Sequence, residues 1–233
     1  MHRLICGSMA VLVTATLAAC MGQDAPTSPT FQVAVSETGP LSMAAAASAA
    51  NGPEHSMVFT FVPEAPVDGA VAQLVRAGSG VAYNLRTSDL VPGHAISIWW
   101  VIFNNPEACD GDCGIEDLFV DFPDDLTPNP DVNPAVMSGG GNVVGRSGRA
   151  GFAAHLNEGQ ITNEHPLFMD GPGLTDARGA EIHLVVRSHG PMVPAQMPGQ
   201  ISTFGGGCEV NLPAGTVPEA IGECADLQFA VFK

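Results

Sequence analysis

The chain has 233 residues, 45% hydrophobic and 14% charged, with 24 acidic against 8 basic side chains and a formal net charge of −16. A surface of that sign repels phosphate backbones and anionic headgroups, which excludes nucleic-acid binding and membrane attachment through a basic patch. Cations are its natural partners.

Arg3 precedes an apolar run from Leu4 to Ala19, shorter than the roughly 20 residues that a membrane-spanning helix needs. A charged start, an apolar stretch and small residues before a cleavage point mark an export signal. Leu17-Ala18-Ala19-Cys20 resembles the lipobox of a bacterial lipoprotein precursor. That resemblance implies removal of residues 1–19, acylation (palmitate) of Cys20 as the new N-terminus, and a lipid anchor in the cell envelope. Met21 stands where an inner-membrane retention signal has Asp, which points to the outer membrane of a bacterium. Losing Arg3 takes the mature charge to −17.

Residues 20–56 are rich in Ala, Ser, Pro, Thr and Gly and bury too little apolar surface to offset ordering entropy. They read as a tether of about 30–35 Å root-mean-square span, with a stray strand at Phe31–Val35 and a short helix at Ser42–Ala50 as its candidate elements. Residues 57–233 read as one all-β domain. Val81, Tyr83 and Leu85 alternate with Ala82, Asn84 and Arg86; the same period of two recurs at 152–156, 182–186 and 227–231, predicting half-buried strands. Ile96 to Phe103 is apolar on both faces, which predicts a central strand covered on each side. Trp99 and Trp100 point to opposite faces of it, and burial of both is expected. Residues 104–134 interrupt the rhythm with Pro, Asn and Asp, the mark of a long irregular loop, and Gly139-Gly140-Gly141-Asn142 predicts a turn or bulge.

Cys6 leaves with the signal and Cys20 takes lipid, so Cys109, Cys113, Cys208 and Cys224 remain. An even number in an exported chain predicts disulfides. Four cysteines allow three connectivities, and the local pairs Cys109 with Cys113 and Cys208 with Cys224 are the economical ones. Their spacings match no common zinc pattern.

Three kinds of chemistry have candidate residues. Calcium takes six to eight oxygen ligands, and Asp110, Asp112, Glu116, Asp117 and Asp121 lie in one acidic loop (110–131), although the third acidic position and the Gly of an EF-hand are missing. Copper suits imidazole and thioether, offered by His183, His189, Met192 and Met197. Both histidines bind one metal only where the chain turns between them, because a straight strand holds them about 20 Å apart. Hydrolysis has Ser188-His189 but no nucleophile elbow and no metalloprotease helix, and adjacent strand residues face opposite ways. His94 and His155 read as structural.

The block Val91-Pro92-Gly93-His94-Ala95, continuing through Trp99-Trp100 to Cys109, resembles an uncharacterised family of exported bacterial β-sandwich proteins, as do residues 148–152, 181–191 and 224–232. It implies export and a β-sandwich. The strand ending His189-Gly190-Pro191 is distantly similar to the CHRD-type domain, but the histidine doublet typical of that domain is missing. The expectation is therefore a single antiparallel Greek-key β-sandwich with a long acidic loop and two disulfides, lipid-anchored to the envelope. It is a non-enzymatic binding or structural module without a cofactor, whose partner is an unknown envelope protein or glycan. Calcium or copper binding, and a secreted hydrolase, are the alternatives.

Overall fold

The computed structural model describes residues 52–169, 171–206 and 224–233. The signal segment, Cys20, the tether up to residue 51 with its two candidate elements, and Cys208 lie outside the described residues. Among the described residues the fold is mostly β, with no helix of seven residues or more. In chain order the strands are β1 (Glu54–Ser56), β2 (Phe59–Thr60), β3 (Ala65–Pro66), β4 (Val71–Ala77), β5 (Gly80–Thr87), β6 (His94–Phe103), β7 (Phe119–Asp121), β8 (Asp125–Pro128), β9 (Pro134–Val143), β10 (Ala150–Asn157), β11 (Glu181–Pro191) and β12 (Cys224–Phe232). They form antiparallel sheets ordered β1-β4-β5-β10, β3-β2-β12-β11-β6-β9 and β7-β8. Strand pairing begins at Glu54, inside the stretch assigned to the tether, because Glu54 accepts a 2.6 Å hydrogen bond from Arg76 Nε and lies opposite Leu74.

The alternating runs are strands with one buried row each. Val81, Tyr83 and Leu85 of β5, Phe152 and Leu156 of β10, and Ile182, Leu184 and Val186 of β11 meet Ile96, Ile98, Trp100 and Ile102 of β6 in the main core. Trp100 stacks edge-on against Tyr83, ring centroids 4.8 Å apart, and the Tyr83 hydroxyl donates to Gly139 O at 2.7 Å. Burial pushes that phenol far above its ordinary pKa, so it stays a donor.

β6 is central, between β11 and β9, and its second apolar face has its own cover. Trp99 and Phe103 pack there with Leu118, Phe119, Val132, Val136 and Phe168. The long loop is thus no mere solvated excursion. It carries two short 3₁₀ turns and the β7–β8 ribbon, and lays apolar side chains on the sheet while most of its carboxylates, Asp117 excepted, stay at the surface. Both indoles are 1% exposed; at about 25 cal/mol per Å² each contributes at most about 5 kcal/mol of transfer free energy. Cys109 and Cys113 are joined, Cα atoms 5.2 Å apart, and pinch the start of this loop. So small a ring is worth roughly 2 kcal/mol in the chain-entropy account.

Candidate functional site

Three β-bulges assemble a buried polar cluster at one end of the six-stranded sheet. Between β6 and β9 the register shifts at Ser97/Trp99, so β9 carries the extra residue within Gly139-Gly140, and Gly140 has φ +105°. The glycine run is a bulge inside a strand. Between β11 and β12 the shift lies at Val186/Arg187, with Leu227 the extra residue, which puts Asp226 directly opposite Arg187. Between β11 and β6 it lies at Ser188/Pro191, with the extra residue at His189-Gly190. A bulge re-aims the side chains beside it, and here the re-aimed groups are Ser97, Arg187, His189 and Asp226.

His189 Nε2 lies 2.6 Å from Ser97 Oγ, and Trp99 Nε1 donates to the same oxygen at 2.8 Å. Arg187 Nη1 donates to Asp226 Oδ1 at 2.7 Å and its Nε to Phe204 O at 3.2 Å, while its guanidinium sits 4.0 Å above the centre of the Phe204 ring. Phe204 also meets His165 at 3.8 Å and Trp99 at 5.3 Å between ring centroids. His165 Nδ1 accepts from Leu167 N at 3.1 Å, so its other nitrogen carries the proton. Burial, and secondarily the Arg187 charge, lower the pKa of both His165 and His189 to about 4. Both imidazoles are neutral at pH 7.

Residues 192–206 close over this cluster as a strap. Gln200 fastens it, donating to His189 O at 3.2 Å and Pro191 O at 2.9 Å and accepting from Val193 N at 2.8 Å. Ile201 presses on β9 at Gly141, where a Cβ would stand 2.6 Å from Ile96 O and 2.7 Å from Ile201 Cβ. Gly141→Ala therefore has to lift the strap. The expected result is a melting temperature lowered by several degrees and faster limited proteolysis within 192–206, with overpacking costing about 1–3 kcal/mol; an unchanged digest would show that the strap does not rest on β9.

Chemically the cluster pairs a hydroxyl with an imidazole, the first two members of a nucleophilic relay. Ser97, however, is 0% exposed, so in this conformation no substrate reaches its oxygen. The adjacent Ser188 does not join it; its Oγ accepts from Gly190 N at 3.2 Å and lies 3.4 Å from His94 Nδ1.

The acidic loop does not gather its proposed ligands. Asp117 is buried and turned inward, its two carboxylate oxygens accepting from Asp110 N (3.0 Å) and Gly114 N (2.7 Å) to close the disulfide ring. Asp112 pairs with Lys233, which holds its carboxyl below the ordinary range through hydrogen bonding and charge. Glu116 opens a 3₁₀ turn, and Asp121 lies exposed on β7 opposite Asp125. Nor do the soft ligands meet. β11 runs unbroken from Glu181 to Pro191, so His183, bonded to Glu181 Oε1 at 2.7 Å, sits at the far end from His189. Met192 is exposed and Met197 follows a separate 3₁₀ turn. Among the described residues no group of three His, Cys, Asp or Glu is placed to hold a metal ion.

No sequence motif singles out Ser97, His165, Arg187, Gln200, Phe204 or Asp226. Two of them had a signal: Ser97 is the one hydroxyl in the apolar run 96–103, and Arg187 interrupts an apolar strand. A surface depression of about 170 Å³, lined by Asn129, Pro130, Phe168 and Met169 among others, carries no titratable side chain and is smaller than the usual small-molecule site.

No family model, no curated protein and no solved structure matches this chain.

Proposed function

We propose that this protein is a lipid-anchored module of the bacterial cell envelope, held at the outer membrane through Cys20, that binds or supports an envelope partner and catalyses no reaction. In this reading the two larger sheets face each other as a Greek-key sandwich, supported by a core that draws side chains from both. Cys224 pairs with Cys208; what supports this is that Cys224 is engaged in a disulfide and that Cys208 is the remaining cysteine of the mature chain. The anchor rests on the lipobox.

The observation that carries the non-enzymatic reading is where the reactive groups are used. Ser97, His189 and Arg187 lie inside the fold, and with the partly exposed Asp226 they are bonded to one another or to the strap, so they hold the cover down. Such a cluster fixes one packing of the sheet's outer face.

The test has two arms. Labelling with radioactive palmitate should mark the wild-type chain and spare Cys20→Ser, which should then leave the membrane fraction. A fluorophosphonate probe should leave Ser97 unmodified in the folded protein, and melting with calcium, copper or a chelator should coincide within about 1 °C, where linked binding of 1 kcal/mol would shift the midpoint by about 2–4 °C. Covalent capture of Ser97 would overturn the non-enzymatic reading, and a calcium-dependent melt would replace it with a metal-binding module.

A further inference from the structure

The four-stranded sheet ends in an open edge. β10 runs for eight residues, Ala150–Asn157, paired to β5 without a register shift. Among the described residues, the backbone of 150–156 has no hydrogen-bond partner other than β5. The other edges are blunted: β1 has three residues and β3 two, the second of them Pro66. The outer side of β9 is occupied by Ser138 N donating to Asn163 O and His165 N donating to Val136 O, both at 2.8 Å. Proteins guard long edges with charge, proline or a bulge. β10 has none of these; in a chain with 24 acidic residues, the sequence Ala-Gly-Phe-Ala-Ala-His-Leu-Asn contains no Asp, Glu, Lys or Arg. Ala154, on the core-facing row, stays partly exposed.

We propose that β10 is the contact strand of a two-fold homodimer, pairing antiparallel with β10 of a second copy so that the two four-stranded sheets become one. This goes beyond the function proposed above and does not depend on the lipid anchor. An antiparallel edge pair about a two-fold axis is complementary to itself. With Ala154 on the axis, Phe152 faces Leu156 of the second copy on the core side, and Ala153 faces His155 on the outer side. Residues of like face thus meet throughout, as strand pairing demands. A foreign strand steered by charge finds nothing to complement on β10. What the edge matches is another uncharged, small-residue, apolar strand, and a second copy supplies it. The net charge of each copy opposes the encounter, so association should tighten as salt screens it.

The experiment is sedimentation equilibrium of the chain from residue 20 onward, carrying Cys20→Ser, from micromolar to submillimolar concentration at low and high salt. A monomer–dimer equilibrium that strengthens with salt is expected. Ala153→Lys, on the exposed row of β10, should weaken it at least about tenfold. Asn84→Lys, which sits opposite Ala153 one strand further in on the same exposed face, adds the same charge and should leave the dimer intact. Should Ala153→Lys lose its β circular dichroism, His155→Lys on the same row takes its place. A monomer at every concentration overturns the proposal and leaves the edge to an extended segment of another protein. A dimer that both lysine variants weaken equally, or that neither weakens, overturns it as well.

Discussion

Acidifying the protein from pH 6.5 to pH 4 should lower its stability by on the order of 5 kcal/mol, a loss expected from His165 and His189. Both imidazoles have folded pKa values lowered from 6.5 to about 4, by burial first and by the nearby Arg187 second. In the unfolded chain they take up protons near pH 6.5, while in the fold they stay neutral until about pH 4. Between those values the unfolded state binds more protons, so stability rises with pH. The contribution is fully present above pH 6.5 and is lost as the pH falls through that window, about 3 kcal/mol for each fully buried ring. The contributions of Asp112, Asp125 and Asp176 are lost at lower pH, because these carboxyls are held below their ordinary 3.8 by hydrogen bonds or by Lys233. Urea melts at half-unit pH steps read the slope directly. His165→Asn keeps an acceptor for Leu167 N but cannot titrate, and it should remove about half of the slope between pH 6.5 and 4. A flat profile across that window would mean that water reaches both rings.

Asp226→Ala costs about 3 kcal/mol and lowers the melting temperature by roughly 6–12 °C. Arg187 is 2% exposed, and removing its carboxylate leaves a buried guanidinium held, among the described residues, by the carbonyl and ring of Phe204. The figure is taken at the low end of the range for buried pairs because Asp226 itself is 31% exposed, so water partly replaces what is lost. The double variant Arg187→Met with Asp226→Ala should recover most of the loss, since an apolar side chain needs no partner there. A cost under about 1 kcal/mol for Asp226→Ala would class the pair with ordinary surface bridges, and Arg187 would then not be the peg on which the strap hangs.

The strands were legible because each has one face in the core, and alternation at Val81-Tyr83-Leu85 or Ile182-Leu184-Val186 carries that fact directly into sequence. The two-faced apolar run at β6 announced a second covering layer without naming it. The cover proved to be the acidic loop, whose Leu118, Phe119 and Val132 are too widely spaced among carboxylates to show any period. Its composition suggested a cation site, yet Asp117 is spent on backbone N–H groups and Asp112 on Lys233, contacts that depend on a disulfide ring and on a residue 121 positions away. The Ser97–His189 pair spans 92 positions and exists only because bulges shift the register. A bulge is one unpaired residue, and nothing in a local pattern distinguishes it from a strand that ends.

Those bulges also write a phase error into the chain. Two of them, at Gly139-Gly140 on β9 and at Leu227 on β12, lie level with Ser97 and Ile98 of β6, so the rule deciding which residues point inward changes parity on either side of that line. A sequence sharing this fold but lacking one bulge would match on one side and be offset by one residue on the other. The place to open a single gap in any such comparison is therefore set by geometry: within the glycine run, at His189-Gly190, and at Leu227.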